Sequence, residues 1–186
     1  MIALASLVIA SHALAQSLSV DTSAISDSVL SRVQGRISVN MAAGDSNLQS
    51  NAAAIAIGHG ARAASSSDQQ VDAANLGQPM DSVALIGGSA FAHAVGLLSV
   101  NQGSGTGNLQ ANSVAIGLGL DVEAVSEGRL SGITSRMASG VSGTGSRVRN
   151  AVIADTAFEG ARGLVQVNQA AGSGNSTANH FALSVQ

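Results

Sequence analysis

One stretch of 32 residues occurs three times in this chain and aligns with itself without a gap. The copies span residues 25–56, 86–117 and 153–184. Each copy opens on Ile, carries Gly ten residues later, and continues through a Val-Asn pair and two further Asn to a penultimate Ile or Leu. Such self-similarity is typical of proteins that stack one supersecondary unit on the next. The repeat therefore predicts a layered fold rather than an ordinary globular core.

The composition supports regular stacking. There is no Lys, Cys, Trp or Tyr, and aromatic residues make up only 2% of the chain. Ala and Val bury little area each, so stability has to come mainly from close backbone pairing. The eight Arg are outnumbered by eleven acidic residues, for a net charge of −3, which argues against a nucleic-acid partner. The lack of Cys excludes a disulfide framework.

The first 15 residues predict a secretory signal peptide. Residues 2–10 form a short apolar run, and Ala13-Leu14-Ala15 has the A-x-A pattern of a cleavage site. The alternative is a buried N-terminal helix, since no basic residue precedes the apolar run. No other segment is long and apolar enough to span a membrane. Residues 16–186 are expected to form a single repeat domain, with spacers at 57–85 and 118–152.

The second half of each repeat predicts a strand, a Gly-rich bend and a second strand. In the middle copy the bend is placed at residues 103–107, and the residues after it alternate between amide or apolar and small side chains. The small face would let another sheet approach closely. In the first half, residues 86–91 and 97–100 are read as short strands, and residues 157–163 could form a helical turn. The predicted fold is an all-β, three-repeat β-solenoid or stack of β-arches.

The repeated amides are the most informative side chains. A buried amide without a partner costs about 1–3 kcal/mol, yet identical amides stacked on paired strands hydrogen-bond along the stack. The asparagines at the turn are expected to cap it instead, and the repeated glycines to provide a bend or a positive φ. The predicted ladders are Asn40/Asn101/Asn168, Asn51/Asn112/Asn179 and Gln49/Gln110, which Thr177 interrupts; the turn asparagines are Asn47/Asn108/Asn175; the glycines are Gly44/Gly105/Gly172 and Gly35/Gly96/Gly163.

Signs of catalysis are missing from the sequence. The four His have no metal-ligand spacing, no G-x-S-x-G motif occurs, and GSGTGN lacks the Lys and the frame of a phosphate loop. Asp121, Glu123 and Glu127 could supply a carboxylate pair, but acids in a Gly-flanked spacer are more often a solvated surface. We therefore expect no enzyme activity, no metal and no cofactor.

The repeat resembles that of the Fap functional-amyloid proteins of Gram-negative bacteria. Residues 99–117, SVNQGSGTGNLQANSVAIG, are similar to that family's V-N-x-x-A-G-x-x-N-x-Q-x-N motif. The resemblance implies a signal peptide, export through an outer-membrane secretion pore, and self-assembly into cross-β fibrils of the extracellular biofilm matrix. It covers about half of the chain that follows the predicted signal peptide. The expected partners are further copies of the chain or related fibril subunits.

Several family roles stay open. This chain lacks the Cys-x-x-Cys motif of some fibril subunits, and Thr177 and His180 depart from the repeat pattern. It could be a major subunit, a minor subunit, or an accessory chaperone that binds subunits by β-augmentation. Residues 51–64 and 112–124 also resemble the AIG motifs of trimeric autotransporter adhesin heads, which implies a β-roll adhesin module. Because the third repeat reaches the last residues of the sequence, an open sheet edge is expected there.

Overall fold

The computed structural model describes residues 20–72, 80–133 and 147–186. The predicted signal peptide lies outside these residues. The described part consists of strands joined by turns, with the bounds β1 Val20–Ile25, β2 Gln34–Ala43, β3 Leu48–Ile57, β4 Arg62–Asp72, β5 Asp81–Ile86, β6 Val95–Ser104, β7 Leu109–Leu118, β8 Glu123–Ile133, β9 Arg149–Ile153, β10 Arg162–Ala171 and β11 Ser176–Val185. The prediction of an all-β fold is confirmed.

The strands form four parallel sheets. Sheet A has the order β1-β5-β9, sheet B β10-β6-β2, sheet C β11-β7-β3, and sheet D β4-β8. The chain passes once through each sheet and then repeats the circuit one layer higher. We call β1–β4 coil 1, β5–β8 coil 2, and β9–β11 coil 3. This is a β-solenoid of stacked coils, as the repeat predicts.

The pairing register is constant along each coil. Every strand residue of coil 1 pairs with the residue 61 positions later in coil 2, from Val20 with Asp81 to Asp72 with Ile133. Coil 2 pairs with coil 3 at a separation of 67. Equivalent residues of the sequence repeats therefore lie directly above one another, which is the geometry that like-on-like ladders require.

The first half of the repeat differs from the prediction. Residues 86–91 do not form a strand, because β5 lies ahead of them and ends at Ile86. Residues 88–93 form turns, and so do the equivalent residues of coils 1 and 3, without a helix in the third copy. Their backbone groups still bond between coils; the Phe91 amide, for example, donates to the Ala157 carbonyl at 2.7 Å. The turn is thus stacked as regularly as the strands, although its side chains do not alternate.

The bend after β6 is shorter than predicted. β6 continues through Ser104, so the bend is confined to residues 105–108. Parts of the spacers are also ordered as strands. β4 and β8 pair in register as sheet D despite dissimilar sequences, and Arg62 forms an exposed ion pair with Glu123 at 2.8 Å. The structural repeat is therefore longer than the sequence repeat.

The spaces between neighbouring sheets hold different chemistry. Sheet B and the segment that joins it to sheet A enclose an apolar cluster around Phe91, Ile86 and Leu98, all fully buried. The Phe91 ring stacks on that of Phe158 with centroids 4.9 Å apart. Between sheets C and D the contacts are small, such as the Ser65 Oγ to Ser113 Oγ bond of 2.8 Å. The small face predicted for β7 is the face that sheet D covers.

Coils 1 and 3 form the outer edges of sheets A, B and C. No strand in the described residues pairs with the outer side of β1, β2 and β3, or with that of β9, β10 and β11. None of the described residues forms a helix of the length and apolarity needed to cross a membrane.

Candidate functional site

A layer of buried amides fills the space between sheets B and C. Polar side chains are rarely buried unless they are hydrogen-bonded, yet five amides of coil 2 have no solvent exposure. They are Asn101, Gln102, Asn108, Gln110 and Asn112; all but Gln102 belong to this layer, since the Gln102 Nε2 donates to the Ser23 and Leu85 carbonyls of sheet A. The β6 and β7 strands present most of them to each other across the bend, because residues at alternate positions share one face of a strand.

Two asparagine ladders run through all three coils. In the first, the Asn101 Nδ2 donates to the Asn40 Oδ1, and the Asn168 Nδ2 to the Asn101 Oδ1, both at 3.0 Å. In the second, the Asn112 Nδ2 donates to the Asn51 Oδ1 at 2.9 Å, and the Asn179 Nδ2 to the Asn112 Oδ1 at 3.0 Å. In both ladders the later coil donates to the earlier one.

The two ladders are also joined within each coil. The Nδ2 of the asparagine on sheet C donates to the Oδ1 of its partner on sheet B, at 2.8 Å in coil 1 and 2.9 Å in coils 2 and 3. Each sheet C amide also donates to a backbone carbonyl, such as Asn112 to Val100 at 3.1 Å. The buried amides are therefore satisfied by one another and by the backbone, which removes the desolvation cost that an isolated amide would carry.

The turn asparagines cap the bend and form a third ladder. The Asn47 Nδ2 donates to the Ala43 carbonyl four residues earlier, at 3.2 Å. The Asn108 Nδ2 donates to the Asn47 Oδ1 at 2.9 Å, and that of Asn175 to the Asn108 Oδ1 at 2.8 Å. The capping and stacking interpretations therefore describe the same side chains.

The glutamines form two shorter ladders. The Gln49 Nε2 donates to the Gln110 Oε1 at 2.7 Å, and in coil 3 the hydroxyl of Thr177 at the equivalent position is buried without a partner in the described residues. A second pair was not predicted: the Gln169 Nε2 donates to the Gln102 Oε1 at 2.9 Å. The sequence feature that could have predicted this pair is the Val-Asn-Gln sequence shared by the second and third copies; in the first copy Met41 stands in place of the Gln.

The repeated glycines bring the coils into close contact. Gly44, Gly105 and Gly172 all have a positive φ, between 90° and 113°. A Cβ at Gly105 would overlap the Gly172 carbonyl oxygen, and one at Gly44 would overlap that of Gly105. These positions need glycine both for the left-handed backbone and for the contact between coils.

The structure brings together little that could support catalysis or metal binding. Within the described ranges, no three His, Asp or Glu side chains are placed to hold a metal ion. Asp121, Glu123 and Glu127 are exposed near the start of β8 and along it. The feature that repeats and is buried is the amide layer, and its chemistry is self-recognition along the stacking axis.

Parallel in-register coils, an internal amide layer and open strand edges define a class of protein in which one layer is the template for the next. The comparison with protein families agrees with this class. The model of the functional amyloid protein FapB/FapC family matches residues 7–186, so the chain belongs to that family. The resemblance of its repeat to the Fap motif is thereby confirmed. No solved structure matches this chain.

Proposed function

We propose that this chain is a secreted, non-enzymatic fibril subunit that stacks coil 3 of one copy on coil 1 of the next, forming cross-β fibrils of the biofilm matrix. The observation that carries the proposal is the shared direction of the asparagine ladders, in which the later coil donates to the earlier one. Coil 1 ends with the exposed amide of Asn40, whose Nδ2 donates to no other described residue. Coil 3 ends with the Asn179 Oδ1, which accepts from none of them. Each end thus presents the group that the other lacks.

The backbone supports the same arrangement. The outer edges of sheets A, B and C carry unpaired strands, and such edges recruit further strands. Asn40, Asn101 and Asn168 are identical, and so are Asn51, Asn112 and Asn179, so a fourth coil with the sequence of coil 1 continues both ladders. The predicted signal peptide and the family membership support export through an outer-membrane pore to the cell surface.

Fibre diffraction of the purified protein tests the assembly. We expect a meridional reflection at roughly 4.8 Å and a thioflavin signal that rises with time. A persistent monomer with neither signal would reject the fibril-subunit proposal. If that monomer slows the assembly of a related family subunit at substoichiometric ratio, the accessory-chaperone role is favoured instead.

Gly35→Ala separates stacking between copies from folding within one copy. In a single chain a Cβ at Gly35 contacts nothing within 4 Å, whereas at the equivalent Gly96 it would overlap the Gly35 carbonyl oxygen. In a stacked pair the Gly163 carbonyl of the next copy takes that place. We expect a folded monomer, destabilised by about 1–2 kcal/mol through its positive φ, and a loss of fibril elongation measured by seeded thioflavin kinetics.

The control for this variant is Gly174→Ala, which also has a positive φ and open space around its Cβ. Gly174 lies in the bend of coil 3, and a register neighbour in coil 1 would be Ser46. If Gly35→Ala elongates as fast as Gly174→Ala, coil 1 is not the stacking surface.

A further inference from the structure

The two ends of the solenoid carry opposite charges at one position of the register. Asp21 of β1 pairs with Ser82 of β5, and Ser82 pairs with Arg149 of β9. The ladder thus runs from an acid on coil 1 through a neutral residue to a base on coil 3. A fourth coil with the sequence of coil 1 would place an Asp21 one ladder step, roughly 4.8 Å, from Arg149.

All three side chains lie beside equivalent glycines in their own coils. A Cβ at Gly44 would meet the Asp21 carboxylate, one at Gly105 would come within 2.9 Å of the Ser82 Oγ, and one at Gly172 within 2.9 Å of the Arg149 Cδ. The same glycine-lined position therefore accommodates either an acid or a base. This makes the two ends comparable in shape and opposite in charge.

Among the described residues, Asp21 on coil 1 has no counter-ion. The Asp21 Oδ2 is buried, and it accepts no hydrogen bond in the part of the chain that the structure describes. Burial raises the pKa of the Asp21 carboxyl, and the nearby Asp45 raises it further. Arg149 is exposed on coil 3. A partly desolvated carboxylate gains from a cation that approaches along the stacking axis.

We propose that Asp21, together with Asp45, binds Arg149 of a second copy of this chain, and that this charge pair makes assembly head-to-tail. The inference rests on the proposed stacking of coil 3 on coil 1. A joint between two coil 1 ends would instead bring two uncompensated carboxylate pairs together. The charge pair thus favours the head-to-tail joint over a joint between two like ends, in addition to the contacts that the repeated amide ladders provide.

One contact opposes this arrangement. The same register places Asp155 of one copy over Asp27 of the next, since both pair with Gly88 within a chain at the corresponding separations. Both acids are exposed in the turn, so their repulsion is screened by solvent and salt. The Asp21 carboxylate is less solvated than those of Asp27 and Asp155. The attraction between Asp21 and Arg149 therefore outweighs the repulsion between Asp27 and Asp155 at the joint.

Charge exchange between two variants tests the proposal with the whole protein. Asp21→Arg leaves a base at both ends of the solenoid, and Arg149→Asp leaves an acid at both ends. We expect each variant alone to elongate from its own seeds at least about fivefold more slowly than the wild type at low ionic strength, because like charges meet at every joint. An equimolar mixture should recover most of the wild-type rate, since every joint in an alternating fibril is complementary.

Arg162→Asp is the matched control. It makes the same charge change on coil 3, but the register residues of Arg162 are Val95 and Gln34, which carry no charge. We expect it to elongate close to the wild-type rate. Recovery in the mixture also shows that neither charge variant has lost its fold.

The outcomes are distinguishable. If the two charge variants elongate like Arg162→Asp, or if their mixture stays as slow as each alone, the charge pair is overturned while the fibril-subunit function stands. If the wild-type protein itself forms no fibrils, the proposed function fails, and the inference that rests on it fails as well.

Discussion

Replacing Asn112 with Asp should lower the free energy of unfolding of the monomer by about 3–5 kcal/mol at neutral pH. The Asn112 amide nitrogen donates to the Asn51 Oδ1, the Val100 carbonyl and the Asn101 Oδ1, all within 3.1 Å. The side chain is completely buried. A carboxylate has no proton to donate, so the change places a buried negative charge against three oxygen atoms.

Asn40→Asp is the control for this prediction. It makes the same chemical change at an exposed ladder end, where the Oδ1 accepts bonds from Asn51 and Asn101 and the Nδ2 donates to no described residue. We expect a loss below about 1 kcal/mol. Denaturant unfolding followed by circular dichroism measures both variants. The loss in unfolding free energy caused by Asn112→Asp should also be smaller in acid, because protonation of the new carboxylate removes its charge and supplies one donor. Similar losses for the two variants would mean that the amide layer is not a stabilising network.

Gly96→Ala should destabilise the chain by more than about 4 kcal/mol or prevent folding. The backbone φ of Gly96 is 133°, and an added Cβ would overlap the carbonyl oxygen of Gly35 in the coil below. That oxygen belongs to the backbone of a paired strand and cannot move aside without breaking the register between β2 and β6. Strain and steric overlap therefore act together.

The matched comparison is again Gly35→Ala, whose φ of 108° gives a similar strain without the overlap. The difference between the two unfolding free energies isolates the contact between coils. Equal losses would show that backbone strain alone explains why glycine recurs at these positions of the repeat, and that the coils pack less closely than the structure indicates.

The stacking direction of this fold follows from its repeat. Asn40, Asn101 and Asn168 recur in one register, and such a repeat is compatible with burial only when the copies lie on each other. The small alternate face of β7 likewise indicated that a sheet would cover it. These predictions need only the pattern of side chains along one strand and the rule that strands pair at a fixed spacing.

Other features depend on contacts that local patterns do not encode. The turn at residues 88–93 has apolar residues without alternation, because Phe91 points into the cluster from a turn rather than from a strand. β4 and β8 pair through backbone bonds, so their dissimilar side chains carried no repeat signal. The position of β4 and β8 over sheet C follows only from the path of the whole coil, which folds sheet D back onto sheet C.

The sequence by itself determined that this is an all-β stack with buried amide ladders, since a charge-poor repeat rich in Asn and Gly has few other ways to satisfy its polar groups. Only the tertiary structure decided which residues meet across coils outside the repeat. It aligned Asp21 with Arg149 through Ser82, in a strand that lies mostly ahead of the repeat boundaries. The physical reason is that the register between coils depends on the length of each complete coil, including its turns and spacers. The sequence pattern reveals only which side chains a coil buries.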